Sequence, residues 1–168
     1  MRNVKFFVMI MILVAFTFAG CGGDSSENQQ GEGSGANAQT INAAELAQHL
    51  HENLEFEDFV DVLDVEIAAS LYNLTENEVV FEESTVYCST GATAEEIAVF
   101  TVTEGNLETV EEACKNRVEG QKLSFENYVP KELEKLSEPV IISEGNKVIM
   151  VVCNDADVAE ELINNYGM

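Results

Sequence analysis

The chain of 168 residues has no tryptophan, two prolines, two histidines and 8 basic residues against 31 acidic ones. Each shortage removes a class of protein. A formal charge of −23 repels a phosphate backbone, so no nucleic-acid partner is expected. With 46% hydrophobic residues and only 2 Pro, the chain is neither collagen-like nor wholly disordered. Without Trp it lacks the residue that most often lines a glycosidase cleft. His49 and His51 stand two positions apart, which on a helix places them on roughly opposite faces, so they do not form a zinc pair. No G-x-S-x-G, Walker or G-x-G-x-x-G pattern occurs, and none of the four cysteines makes C-x-x-C. No cofactor, no metal-ligand set and no catalytic residue is expected from these patterns.

What is present begins with an address. Arg2 and Lys5 precede an apolar run from Phe6 to Phe18, broken only by Thr17. About thirteen residues is too short to cross a hydrocarbon core, which needs ~20 helical residues, and matches the core of an export signal. Phe18-Ala19-Gly20-Cys21 follows and resembles the bacterial lipobox, with Phe18 where Leu or Val is usual. The resemblance implies cleavage between Gly20 and Cys21, diacylglycerol on the Cys21 thiol, and anchoring to the outer side of the cell membrane. The plainer alternative is a secretory signal in which Cys21 is incidental. Removing residues 1–20 takes away Arg2 and Lys5 and leaves 6 basic residues against 31 acidic, a formal −25. Residues 22–40 are rich in Gly, Ser, Asn and Gln and read as a flexible tether spanning roughly 25 Å.

Residues 41–168 read as one folded unit, long enough for a core without staples. Asn42 and Glu45 cap a helix carrying Leu46, Ala47 and Leu50; Asp64 caps a second that buries Ile67, Ala68 and Leu71. Between them, Phe56, Phe59, Val60 and Leu63 are spaced more like a helix than a strand. Val79 to Ser89 and Glu96 to Thr103 read as strands; Leu107 to Tyr128 reads as the longest helix, with Val110, Cys114, Val118, Phe125 and Tyr128 on one stripe. Val140 to Ser143 and Lys147 to Cys153 form a hairpin, and a last helix follows Asp155 or Asp157. The expected fold is α+β: an antiparallel sheet of about four strands in two hairpins, with helices mainly on one face. Cys88, Cys114 and Cys153 are expected as free, buried thiols.

Three phrases carry a family resemblance: Thr90-Gly91-Ala92-Thr93-Ala94-Glu95-Glu96-Ile97, Ser124-Phe125-Glu126-Asn127-Tyr128-Val129-Pro130, and Val151-Val152-Cys153-Asn154-Asp155-Ala156-Asp157. With the signal and tether, the chain resembles the lipoproteins of clostridia-like bacteria catalogued as domain of unknown function 4358, over essentially the whole folded unit. The family often has Pro where this chain has Ala156. The resemblance implies no activity and no catalytic residue.

The acidic run Glu55, Glu57, Asp58, Asp61, Asp64 and Glu66 lacks the D-x-D-x-D-G spacing of a calcium loop and reads as a solvated face. Polar groups at element ends, Thr90, Gly91, Thr93, Asn127 and Tyr128, are the candidate binding residues. Thr93 with Glu96 reads as a local capping pair. The expected role is a lipid-anchored module that binds an unidentified protein or small ligand at the cell surface. A small cell-envelope hydrolase with an unrecognised site is the alternative, and an accessory subunit of an envelope complex a third class.

Overall fold

The structure is a computed structural model that describes residues 41–166; the expectations about the signal, Cys21 and the tether lie outside the described residues. The first helix, α1 (Ala43–Asn53), starts where Asn42 accepts the backbone N–H groups of Ala44 and Glu45 at 3.0 and 3.2 Å. A short strand β1 (Val60–Val62) precedes helix α2 (Val65–Leu71), which Asp64 caps as expected. Strands β2 (Thr85–Ser89) and β3 (Glu96–Thr101) follow, then the long helix α3 (Leu107–Phe125). A one-turn helix at Pro130–Glu132 leads into α4 (Leu133–Ser137). Strands β4 (Val140–Glu144) and β5 (Lys147–Val152) form the second hairpin, and α5 (Ala156–Asn165) closes the fold, capped by Asp155.

The class is α+β with one antiparallel sheet, in the order β1-β2-β3-β5-β4. Two details differ from the expectation. The sheet has five strands rather than about four, because Val60–Val62 pairs with the outer edge of β2, opposite Tyr87 to Ser89. Three residues are too few for a period to show, and the apolar positions around them mimic a helix. The helices, moreover, cover both faces. Ile97, Val99, Ile149 and Val151 point to a layer made by Leu46, Leu50, Ala159 and Ile163 of α1 and α5. Ala98, Phe100, Val148, Met150 and Val152 point to the opposite layer, made by α2, α3 and α4. That is why β3 and β5 are buried at every position. Their unbroken runs IAVF and VIMVV are the pattern of strands covered on both sides, whereas a one-faced sheet alternates.

Helix α3 lays Val110, Cys114, Val118, Gln121 and Phe125 on the sheet, as its spacing predicts. Tyr128 is not part of that stripe: the helix ends before it, and the side chain is 71% exposed. In α2 the buried residues are Ala68 and Ala69, with Ile67 and Leu71 turned outward. Cys88, Cys114 and Cys153 are free thiols. Burial pushes all three up, Cys88 to about 11, so none is a ready thiolate nucleophile. Among the described residues no helix is long and apolar enough to cross a membrane.

Candidate functional site

Adjacent residues on a strand face opposite sides of a sheet. Glu96, the first residue of β3, and Glu95, just before it, therefore diverge, and both are fully buried. Glu96 enters the α2–α3 layer. There it meets Arg117 in a fork, with Nη2 at 2.8 Å and Nε at 3.2 Å from Oε2, and accepts from Gln121 at 2.9 Å and the Tyr72 hydroxyl at 2.5 Å. Burial and the neighbouring carboxylate push the Tyr72 phenol well above its usual range, which keeps it a proton donor.

Glu95 organises the end of the sheet instead. Its two oxygens accept the backbone N–H groups of Glu57 and Asp58 at 2.8 and 3.1 Å, the Thr93 hydroxyl at 2.9 Å, and the Lys135 ammonium at 2.9 Å. Glu132 is also fully buried; its Oε2 takes the Ala94 N–H at 3.0 Å and lies 3.1 Å from the same Lys135 Nζ. One ammonium thus sits between two buried carboxylates that arrive from different parts of the chain. Burial disfavours the charge on Lys135, but its bonds to Glu95 and Glu132 outweigh that and raise its pKa. Such a cluster is tolerable only because each charge has a fixed partner. At the rim, Lys131 holds Glu57 at 2.6 Å. Between these groups, Asn154 and the turn into α5 opens a cavity of about 320 Å³.

The acidic run contributes ties as well as solvation. Asp58 accepts from the Thr90 N–H at 3.0 Å and from the Thr90 hydroxyl, reciprocating the Glu95 bonds and locking loop 54–59 to loop 89–95. The hydroxyl bond holds the Asp58 carboxyl below its ordinary value of 3.8. A depressed carboxylate pKa contributes stability that is complete above the ordinary value and lost as pH falls through the lowered one. Exchange of the Thr90 amide is therefore expected to accelerate below about pH 3.8 beyond the loss seen in the sheet, and this extra step should vanish in Asp58→Asn. An identical profile in both proteins would refute the lock.

Of the residues singled out from sequence, Thr90, Gly91 and Thr93 lie in this loop. Gly91 has φ +93°, a conformation that disfavours any side chain. Thr93 is buried and serves Glu95, not Glu96, so it is no capping pair: the Glu96 carboxylate lies on the other side of the sheet. Asn127 and Tyr128 are exposed and stand outside the network; the segment after α3 reaches this end through Glu132 and Lys135. Glu95, Lys131, Glu132, Lys135 and Asn154 are not singled out by sequence reasoning, and Glu57 enters it only as part of the acidic run read as a solvated face. One signal points to them: in so acidic a chain, the pair Lys131 and Lys135, one helical turn apart, is conspicuous. Both histidines are engaged in packing. His51 stacks on Tyr87 with ring centroids 4.7 Å apart and donates from Nε2 to the Val60 carbonyl at 2.9 Å, while His49 lies against Tyr166.

The molecule is thus a three-layer α+β domain with a charged cavity at one end of its sheet. Residues 52–153 match the family described as Domain of unknown function (DUF4358), and the chain belongs to it. The match is shorter than the whole folded unit, leaving out most of α1 and all of α5, yet it holds Glu57, Glu95, Glu132 and Lys135. No curated protein and no solved structure matches the chain.

Proposed function

We propose that the chain is a lipoprotein, anchored through Cys21 on the extracytoplasmic side of the cell membrane, whose folded domain binds a small ligand or partner at the cavity between Glu57, Lys135 and Asn154. The anchoring half is supported by the sequence: a positive start, a short apolar run and the Ala19-Gly20-Cys21 ending, followed by a low-complexity tether. Two acyl chains on one residue suffice for stable anchoring. The binding half is supported chiefly by one observation, the convergence of buried Glu132 and Lys135 on the wall of an open polar cavity, with Glu95 holding Lys135 at 2.9 Å. Concave sites with a few fixed polar groups are the usual form of a ligand site. Binding is favoured over hydrolysis because the thiols are held protonated and the histidines are committed to packing.

Cys21→Ser is expected to abolish labelling by a radioactive fatty acid and to leave the protein either uncleaved or released to the medium. A correctly cleaved Cys21→Ser protein that stays in the membrane fraction would overturn the anchor.

A further inference from the structure

We propose, resting on the reading that this cavity binds, that it takes a small molecule bearing a protonated amine, and that Glu132 Oε1 is the acceptor of that ammonium. Glu132 is fully buried, and its other oxygen is used twice, by Ala94 and Lys135. Oε1 accepts no hydrogen bond. A buried carboxylate oxygen left without a donor is costly, and native folds rarely leave one so. Lys131 Nζ stands 3.6 Å from it, beyond hydrogen-bond reach, on an exposed side chain that Glu57 holds at 2.6 Å. It covers the oxygen without bonding it, and an incoming ammonium takes that place.

The charge of the wall selects the same chemistry. Glu57, Glu132, Glu134 and Glu138 face the cavity against Lys131 and Lys135. Glu134 and Glu138 are exposed and make no ion pair among the described residues. A neutral hydroxyl or amide would complete the hydrogen bond and leave the excess negative charge. No group of three or more His, Cys, Asp or Glu side chains among the described residues is arranged to hold a metal ion. An organic ammonium answers both demands, and about 320 Å³ is the size for a monosaccharide or an amino acid. The domain's overall negative charge draws such cations in.

The test uses the full ¹⁵N-labelled chain in mild detergent, titrated with D-glucosamine, with 1,4-diaminobutane, and with N-acetyl-D-glucosamine, which keeps the sugar ring but not the charge. Saturable shifts of the Ala94 amide and the Asn154 side-chain amide are expected with at least one amine and not with the neutral sugar. Glu132→Gln keeps an oxygen for Ala94 but turns a donor toward the cavity, and is expected to weaken amine binding at least about tenfold. Lys131→Met removes the competing ammonium and is expected to strengthen it. If Glu132→Gln does not fold, the double variant Glu134→Gln/Glu138→Gln, which alters exposed side chains only, should still weaken binding. Equal response to the neutral sugar, no saturable shift with either amine, or amine binding indifferent to these substitutions would overturn the proposal. Failure of the amines with Cys21 still acylated would remove the ligand class and leave the anchored module standing; loss of acylation with amine binding intact would do the reverse.

Discussion

Replacing Arg117 with Met should lower the stability of the domain by about 3–5 kcal/mol, the usual cost of stripping one partner from a buried ion pair. For a domain of this size that is a fall of roughly 10–20 °C in melting temperature. The side chain of Arg117 is only one-fifth exposed and that of Glu96 not at all. Met keeps the apolar stem that packs along α3, so the loss is confined to the guanidinium. What remains around Glu96 is the Tyr72 hydroxyl and the Gln121 amide, two neutral donors for a full negative charge. Arg117→Lys should fall between, because an ammonium cannot reproduce the forked contact through Nε and Nη2. Adding Glu96→Gln to Arg117→Met should restore much of the loss, since a pair of neutral groups leaves no orphaned charge. A melting temperature within about 4 °C of the wild type for Arg117→Met would mean that water reaches the carboxylate, and that Glu96 is not the buried hub described.

The parts of the fold that depend on near neighbours along the chain are legible in the amino-acid sequence. Asn42 and Asp64 announce helix starts because a cap is read over three residues, and both accept backbone N–H groups there; for the last helix the sequence leaves Asp155 and Asp157 open, and Asp155 is the cap. The α3 stripe announces itself by its period. The parts that depend on distant pairing are hidden. Val60–Val62 is a strand only because β2 offers it an open edge. The doubling of the helical layers is written in the uninterrupted apolar runs of β3 and β5, but hairpin topology suggests a one-faced sheet. The site is least legible. Glu95 is one of 31 acids, and nothing local separates it from Glu55 or Glu66. Its meaning comes from Lys135, 40 positions later, and from the Glu57 amide, 38 positions earlier. Polar groups at element ends lead to Thr90 and Thr93, which lie in the loop that Glu95 holds, but not to the charges that give the loop its shape.

Lys135 is where a single substitution should do the most damage at the site itself. Its ammonium lies 2.9 Å from Glu95, 3.1 Å from Glu132 and 3.4 Å from Glu57. Lys135→Met leaves two fully buried carboxylates with no counter-charge but the exposed Lys131 ammonium, 3.6 Å from Glu132, and the expected loss is about 3–5 kcal/mol in the unfolding free energy extrapolated from urea to water. The pH dependence has a fixed sign. The Lys135 pKa is raised above the ordinary 10.5 in the folded domain, so its contribution is whole below 10.5 and fades as pH climbs through the higher folded value. The gap between wild type and Lys135→Met should therefore be constant from neutral pH to about pH 10 and narrow only beyond it. The damage should also be local. Amides of Glu57, Asp58 and Ala94 are held by the two carboxylates that Lys135 unites, and their exchange should accelerate more than that of Ile149 or Val151 in the central strand. Glu132→Gln added to Lys135→Met removes one of the two facing charges and should recover part of the stability, a coupling of opposite sign to simple additivity. If Lys135→Met instead lowers the stability by less than about 1 kcal/mol, the range of an exposed ion pair, the cluster is solvated at the cavity and the burial of Glu95 and Glu132 does not organise this end of the sheet.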